Sequence, residues 1–457
     1  MAGATDKLAN RILWGLLIGA IAGVITLLIG PKIPLPEGVQ GLLKHAGITS
    51  SATLLEAMRG TATVALEPFG KVFLRLLFFV ILPLVFASLA SGVVQLGRPD
   101  KLGPLAGRTF GLFFLNMSVG VGLGLLMMNT LQPGDFLDQA TKDQLMAEYG
   151  GTAAKHVQTS QGQKGLTLDS VVEMFMPANL FAAFIGSDRG RIGDVLPLIV
   201  FSILVGVVGM QLAEERRRKM QEALETVTEL MTGIVHYALR LAPYAVPCLI
   251  YSVIVKSGLD IILALGAFVL GCGGILMLHL FGTTSLWLKL WTKWSPKEYF
   301  GAIRNVLVTA FSTSSSAATL PTSLACAREK LKLSPGTTGF VLPLGATMNM
   351  SGTALYEGCV VLFVAQVFGV DLTLGQQVTL LFLSVLSAVA VAAIPGGSLP
   401  LIAGLLATFD IPPEGIGIIL GTDRILDMLR TTTNVGFDLT AATVVDGMVN
   451  QDAPAQA

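Results

Sequence analysis

The chain has 457 residues, 53% of them hydrophobic and 13% charged, and its mean hydropathy is +0.71. Thirty Lys and Arg balance thirty Asp and Glu, so there is no net charge to attract nucleic acid. Soluble domains carry about 25% charged residues, which excludes a soluble enzyme, a disordered chain and a secreted disulfide scaffold. What remains is an all-α polytopic membrane protein, whose 51 glycines suit closely packed membrane helices.

A membrane span needs about 20 apolar residues. On that measure spans are predicted near 10–30, 68–96, 105–130, 190–213, 224–257, 259–291, 335–368 and 414–448. The first is too long for a signal h-region and has no clear cleavage site. The polar stretch 133–168 reads as a long external loop, and the charged run from Ala213 to Lys219 as a solvated loop. Basic residues recur on one side, at Lys7 and Arg11, Arg98 and Lys101, Arg216–Lys219, Lys289 and Lys293, and Arg328 and Lys330. That side is expected to be cytoplasmic, with both termini on it and the chain multi-pass in the cell inner membrane. Cys248, Cys272, Cys326 and Cys359 form no CxxC pair and lack a His partner at metal spacing, so they read as small apolar fillers.

Two further apolar segments do not make clean spans. Residues 305–326 are broken by Ser312-Thr313-Ser314-Ser315-Ser316 and Pro321, and 373–410 by Ile394-Pro395-Gly396-Gly397-Ser398-Leu399-Pro400. Polar or Pro-Gly backbone at membrane depth is tolerated only inside protein or along a wet cavity. Each segment is therefore predicted to be a re-entrant hairpin, the first entering from inside and the second from outside. The order hairpin–helix repeats across 305–448, the pattern that marks a transporter's binding site.

The last predicted helix carries Asp423, Asp427, Arg430, Asn434 and Asp438 at offsets 0, 4, 7, 11 and 15. At about 100° per residue these share one face, within roughly an 80° arc. Each ionisable group at the bilayer centre costs on the order of 2.5–3.5 kcal/mol, so the stripe needs partners. One reading is an internal Asp–Arg ladder that holds the bundle. Three carboxylates against Arg430, however, leave two negative charges that call for a metal cation, a substrate ammonium or protons. Arg430 is also a fork suited to an acidic substrate, while Arg424 lies about 100° off the stripe. In the penultimate helix, Asn349-Met350-Ser351-Gly352-Thr353 argues for local unwinding that frees carbonyl ligands for an alkali cation, or for helix-to-helix hydrogen bonds. Glu357 is an isolated intramembrane acid, a candidate proton carrier or a neutral structural group. The Ser-rich tip supplies hydroxyls and backbone N–H groups.

Together Ser314–Pro321, Leu342–Glu357, Ile394–Pro400 and Asp423–Asp438 resemble the dicarboxylate/amino acid:cation symporters, the glutamate transporter family, over nearly the whole chain. The resemblance implies a homotrimer in membrane lipid, each protomer with eight transmembrane helices and two re-entrant hairpins in inverted repeats, working as an elevator. Scaffold helices 1 and 2 would fall in 1–104, helix 3 of the transport domain in 105–132, and the external loop with scaffold helices 4 and 5 in 133–257. The rest of the transport domain would occupy 258–457. It implies that Asp427 accepts the substrate amino group and Arg430 the side-chain carboxylate, with Thr431, Asn434 and Thr353 nearby. Ser314, Ser315 and Ser316 match the first tip, and Ile394, Gly397 and Ser398 the gating second tip.

For cations the resemblance implies a sodium site at Gly345, Asn349, Asn434 and Asp438, and another at Thr347 and Met350; Asp423 is a further candidate. A third site departs from the pattern, because Ser351, Asn116 and Met117 stand where sodium-coupled members carry Asp and Thr-Ser. Glu357 matches the position at which proton-coupled animal members carry Glu. The expectation is a secondary symporter of L-aspartate or L-glutamate, not an enzyme, with no cofactor and with Na⁺ and/or H⁺ as coupling ions. Alternatives are a C4-dicarboxylate or neutral amino acid symporter of the same fold, and a channel. An intramembrane hydrolase is disfavoured because His236 and His279 have no triad-like context.

Overall fold

The computed structural model of the protein describes residues 2–48, 52–95, 99–143, 176–181, 195–391 and 397–451. Among the described residues the chain is helical, with one isolated β-bridge between Pro34 and Thr53. Helix α1 (Ala2–Ile29) leads through the short amphipathic α2 (Glu37–His45) and α3 (Leu54–Thr61) into α4 (Glu67–Phe79) and α5 (Ile81–Gln95). The predicted span 68–96 is thus two helices. Pro83, in the first turn of α5, clashes with the carbonyl four residues back and forces the break.

Then come α6 (Pro99–Leu131), α7 (Val195–Met210) and α8 (Glu214–Ser257). Helix α8 bends by 51° between Glu214–Val235 and Arg240–Lys256, about one turn before its internal Pro243. The charged run from Ala213 is a correction to the sequence reading: it opens α8 rather than forming a loop. Ion pairs Arg217–Glu214, Lys219–Glu215 and Arg218–Glu222 at helical spacing support that exposed first stretch. Of the predicted external loop, residues 144–168 lie outside the described residues.

The second half contains α9 (Asp260–Leu278), a π-helical turn at His279–Thr283 and α10 (Thr284–Trp291). Helices α11 (Pro296–Thr313) and α12 (Ser316–Glu329) pack side by side, joined at Ser314 in the left-handed region (φ 49°). Then α13 (Pro335–Met348) and α14 (Ser351–Val367) flank a break at Asn349-Met350, and α15 (Leu374–Ala390) and α16 (Leu399–Thr408) form the second pair. The chain ends in α17 (Ile416–Gln451).

Among the described residues three stretches are long and apolar enough to cross a membrane: Leu105–Phe136, Asp260–Trp291 and Pro335–Val367. The bent α8 makes a fourth if its two arms form one span. Large apolar side chains face outward, among them Trp14, Ile18, Ile25, Leu263, Leu270 and Phe382, while Asp423, Asp427, Arg430, Asp438 and Asp446 of α17 are buried. That distribution is the reverse of a water-soluble surface and fits a protein solvated by lipid.

Packing gathers the helices into two groups. Helices α1, α4, α5 and α7 lie on α8. Gly15 and Gly19 let α1 approach closely, since a Cβ at Gly19 would sit 2.6 Å from the Pro247 carbonyl oxygen. A buried ion pair between Glu67 and Lys256 ties α4 to α8, and Arg59 Nε donates to the Val255 carbonyl at 2.9 Å. In the other group α6, α9 and α11–α14 surround α17, which sets its polar face at the centre of the molecule.

Candidate functional site

The predicted stripe on α17 is buried as one face: Asp423, Asp427, Arg430, Asn434 and Asp438 are each at most 6% exposed. Arg430 is the hub. Its Nε and Nη2 donate to Asp427 Oδ1 at 2.9 and 2.8 Å, and Nη1 donates to Asp423 Oδ1 at 3.3 Å. The guanidinium lies 4.6 Å over the Tyr356 ring, and Tyr356 Oη donates to Asp423 Oδ1 at 2.8 Å. Tyr356 was missed in the sequence; its signal was a phenol inside an apolar helix, which needs a buried partner for its hydroxyl.

Arg424 corrects the helical-wheel estimate. Its long side chain bends back so that Nη1 lies 3.7 Å from Asp427 Oδ2. The charge excess of the face is then one rather than two: Arg424 and Arg430 offset Asp423 and Asp427, and Asp438 remains. Asp438 Oδ1 accepts from Asn349 Nδ2 at 3.0 Å, within the break that separates α13 from α14.

That break is where the sequence predicts unwinding. Asn349 (φ −103°, ψ 60°) and Met350 (φ −88°, ψ 53°) both leave helical geometry. Asn434 fastens α17 to it, because its Oδ1 accepts from the backbone N–H groups of Gly352 (2.7 Å) and Thr353 (3.3 Å). Its Nδ2 donates to Thr353 Oγ1 (3.0 Å) and to Met350 Sδ (3.2 Å). Gly345 must lack a side chain, since a Cβ there would stand 2.6 Å from Asp438 Oδ1. Buried Asn349 Oδ1 has no hydrogen-bond partner among the described residues.

A small, partly open cavity lies beside this array. It is lined by Ser314 and Ser316 of the first hairpin, Gly397 and Ser398 of the second, Met350 and Thr353, and Asp427, Arg430, Thr431 and Asn434. Ser314 Oγ and Ser398 Oγ are buried without a hydrogen-bond partner among the described residues. Ser315 does different work: its hydroxyl caps α12 by accepting from Ala318 N–H at 3.2 Å. Ile394 lies outside the described residues.

The remaining predicted residues are dispersed. Thr347 is exposed and its hydroxyl bonds the Leu344 carbonyl. Asp423 is held by Tyr356 and Arg430. Glu357 is fully buried on α14, and neither carboxyl oxygen has a hydrogen-bond partner among the described residues; Ser387 of α15 stands beside it. Ser351 Oγ and Asn116 Nδ2 are likewise buried and unpartnered, while Asn116 Oδ1 accepts from Trp287 Nε1 at 3.2 Å. Among the described residues no group of three or more His, Cys, Asp or Glu is placed to hold a metal ion. The oxygens available to a cation are thus amide, hydroxyl and carbonyl groups around single carboxylates.

The chain is similar over most of its length to proteins named for transport. The "Proton/sodium-glutamate symport protein" of Bacillus subtilis (strain 168) is 30% identical over 393 residues, 84% of this chain and 87% of the relative. The "Proton/glutamate-aspartate symporter" of Escherichia coli (strain K12) is 29% identical over 386 residues, 83% and 84% of the two chains. A "C4-dicarboxylate transport protein" of Bacillus subtilis (strain 168) is 28% identical over 371 residues, 81% and 84%. The family model described as "Sodium:dicarboxylate symporter family" matches residues 8–448, and the chain belongs to that family.

Proposed function

We propose that this protein is a secondary active symporter of L-aspartate or L-glutamate, driven across the cell inner membrane by a gradient of Na⁺ and/or H⁺. The observation that carries the reading is the buried Arg430–Asp427 pair facing a small polar cavity between two hairpin ends. An amino acid with a second carboxylate exchanges partners there: its carboxylate takes Arg430 and its ammonium takes Asp427. Thr431 and Asn434 contact the main-chain carboxylate and amino group, Thr353 lies near the side-chain carboxylate, and the hydroxyls of Ser314, Ser316 and Ser398 add hydrogen bonds at the two tips. Relatives named for glutamate and aspartate transport support the same substrate class.

Cation coupling follows from charge. Asp438 is the one carboxylate of the face without a guanidinium, and it adjoins the unpartnered Asn349 Oδ1 and the non-helical carbonyls at 349–350. Gly345, Asn349, Asn434 and Asp438 hold a Na⁺ in this reading, and backbone carbonyls near Thr347 and Met350 a second. Ser351, Asn116 and Met117 offer no carboxylate and bind Na⁺ poorly. Glu357 carries a proton, because an unpartnered buried carboxylate is costly when charged. Filled with substrate and cations, the face is neutral and the second hairpin closes over it. Closing only when loaded is what couples the fluxes.

In this reading the chain forms a homotrimer with both termini cytoplasmic and eight spans plus two re-entrant hairpins in inverted repeats. Residues 1–104 and 133–257 form the scaffold. Helix 3 at 105–132 and residues 258–457 slide across it as an elevator. A C4-dicarboxylate symporter is the second reading, favoured by the fact that both oxygens of Asp427 already face guanidiniums. A thermal-shift panel of aspartate, glutamate, succinate and alanine decides. Stabilisation by aspartate or glutamate over succinate is expected; a shift with succinate and none with either amino acid overturns the proposal.

A further inference from the structure

Helix α1 runs parallel to α8 and lies against its proline-bearing arm. Gly15 meets Pro243, Gly19 meets Pro247, and farther along Thr26 Oγ1 and Tyr251 Oη are 3.2 Å apart. Carried back one turn, that register sets Arg11 at the level of Arg240. The Arg240 guanidinium stands 5.0 Å over the Tyr237 ring. Both arginines are exposed, and so are Trp14, Tyr237 and Tyr244. At about 100° per residue, Arg240, Tyr244 and Tyr237 lie to one side of the Pro243–Pro247 line, and Arg11 and Trp14 turn in the opposite sense from Gly15 and Gly19. Parallel helices that face each other bring opposite senses to the same flank. All five side chains therefore border one edge of the α1–α8 groove.

No ion pair of Arg11 or Arg240 occurs among the described residues. Beyond Arg11 the same face of α1 continues, at seven-residue intervals, into the exposed Ile18 and Ile25. A basic and aromatic cluster at the foot of an exposed apolar stripe marks the depth of lipid headgroups, where Arg snorkels and Trp and Tyr concentrate. Paired guanidinium forks suit a phosphate, and basic pockets between membrane helices hold anionic headgroups. We propose that the α1–α8 groove binds the phosphodiester headgroup of an anionic phospholipid. Arg11 and Arg240 take the phosphate, Tyr237, Tyr244 and Trp14 flank the glycerol, and an acyl chain runs along Ile18 and Ile25. That apolar continuation is what selects a lipid over a soluble anion of the same chemistry. The site requires that the chain lie in a bilayer and is independent of what it transports.

Trp14 reports on the site by its fluorescence. The full chain and its Trp14→Phe variant are reconstituted in vesicles of equal parts phosphatidylglycerol and phosphatidylcholine, with the acyl chains of one lipid or the other brominated. The difference between the two proteins isolates quenching of Trp14. Phosphatidylglycerol is expected to occupy the site with a relative binding constant about fivefold or more above phosphatidylcholine. In the Arg11→Gln/Arg240→Gln double variant, measured with and without Trp14→Phe, that ratio should fall to about one. A wild-type ratio near one, or a double variant that keeps the wild-type ratio, overturns the proposal. If the double variant does not fold, the wild type in about 1 M salt decides, where the Debye length is about 3 Å: loss of the preference upholds the site, and its persistence overturns it. Trp14 unquenched by either lipid places another copy of the chain on this face and overturns the lipid assignment. Free glycerol phosphate that abolishes the preference gives the site to a soluble anion and overturns it likewise.

Discussion

Arg430 draws three groups to one guanidinium: two carboxylates of its own helix and the face of Tyr356. Removing it leaves Asp423 and Asp427 buried with too little positive charge, a loss of about 3–5 kcal/mol by the measure of broken buried pairs. Arg430→Ala is therefore predicted to lose thermal stabilisation by aspartate and glutamate while still responding to small neutral amino acids, read in the same ligand panel. Unchanged aspartate affinity would contradict the assignment. At Gly345 the constraint is steric, because a methyl group would meet Asp438 Oδ1 at 2.6 Å. Gly345→Ala should weaken the dependence of uptake on external Na⁺ by about tenfold, the scale expected when about 1.4 kcal/mol of cation affinity is lost; an unchanged sodium titration would remove Gly345 from the site. Most of this face was legible in the sequence, since five polar residues at helical offsets cannot avoid sharing one side. Arg424 was not legible in that way, because an angle on a helical wheel locates Cβ and not the end of a five-atom side chain.

At the scale of elements, the site depends on helices that stop. The break at Asn349-Met350 and the left-handed Ser314 bring backbone and hydroxyl groups to the depth of α17. Those interruptions were readable because hydroxyl-rich, amide-rich or Pro-Gly runs have no place in a continuous apolar span. The charged opening of α8 was misread because charge alone does not distinguish a loop from a helix laced by pairs at i, i+3 and i, i+4. The π-helical turns at Ala62–Leu66 and His279–Thr283 leave no such mark; they follow from packing. Close approach of α14 to α17 rests on Gly352, whose added Cβ would lie 2.6 Å from the Arg430 carbonyl oxygen and 3.0 Å from its Cα. Backbone cannot yield as a side chain does, so Gly352→Ala should destabilise the protein by about 1–3 kcal/mol. A lowered melting temperature with weakened aspartate binding is the expected pair of readings, and wild-type values of both would show that the contact is tolerant.

For the whole molecule, the separation of helices packed on α8 from those packed around α17 keeps every charged residue of the site in the second group. In the proposed reading, the body that carries substrate, cation ligands and Glu357 moves as one. That is the physical requirement for coupling: the states that cross the membrane must be those in which the face is neutral. Glu357→Gln, which keeps shape and removes the ionisable group, should leave substrate binding intact and abolish the response of uptake to an imposed pH gradient. The most direct test of the account is uptake of labelled L-aspartate into proteoliposomes with sodium and proton gradients imposed separately. The account predicts accumulation above the external concentration under at least one of the two gradients and none when both are dissipated. Aspartate that merely equilibrates under either gradient, or does not enter at all, would contradict it.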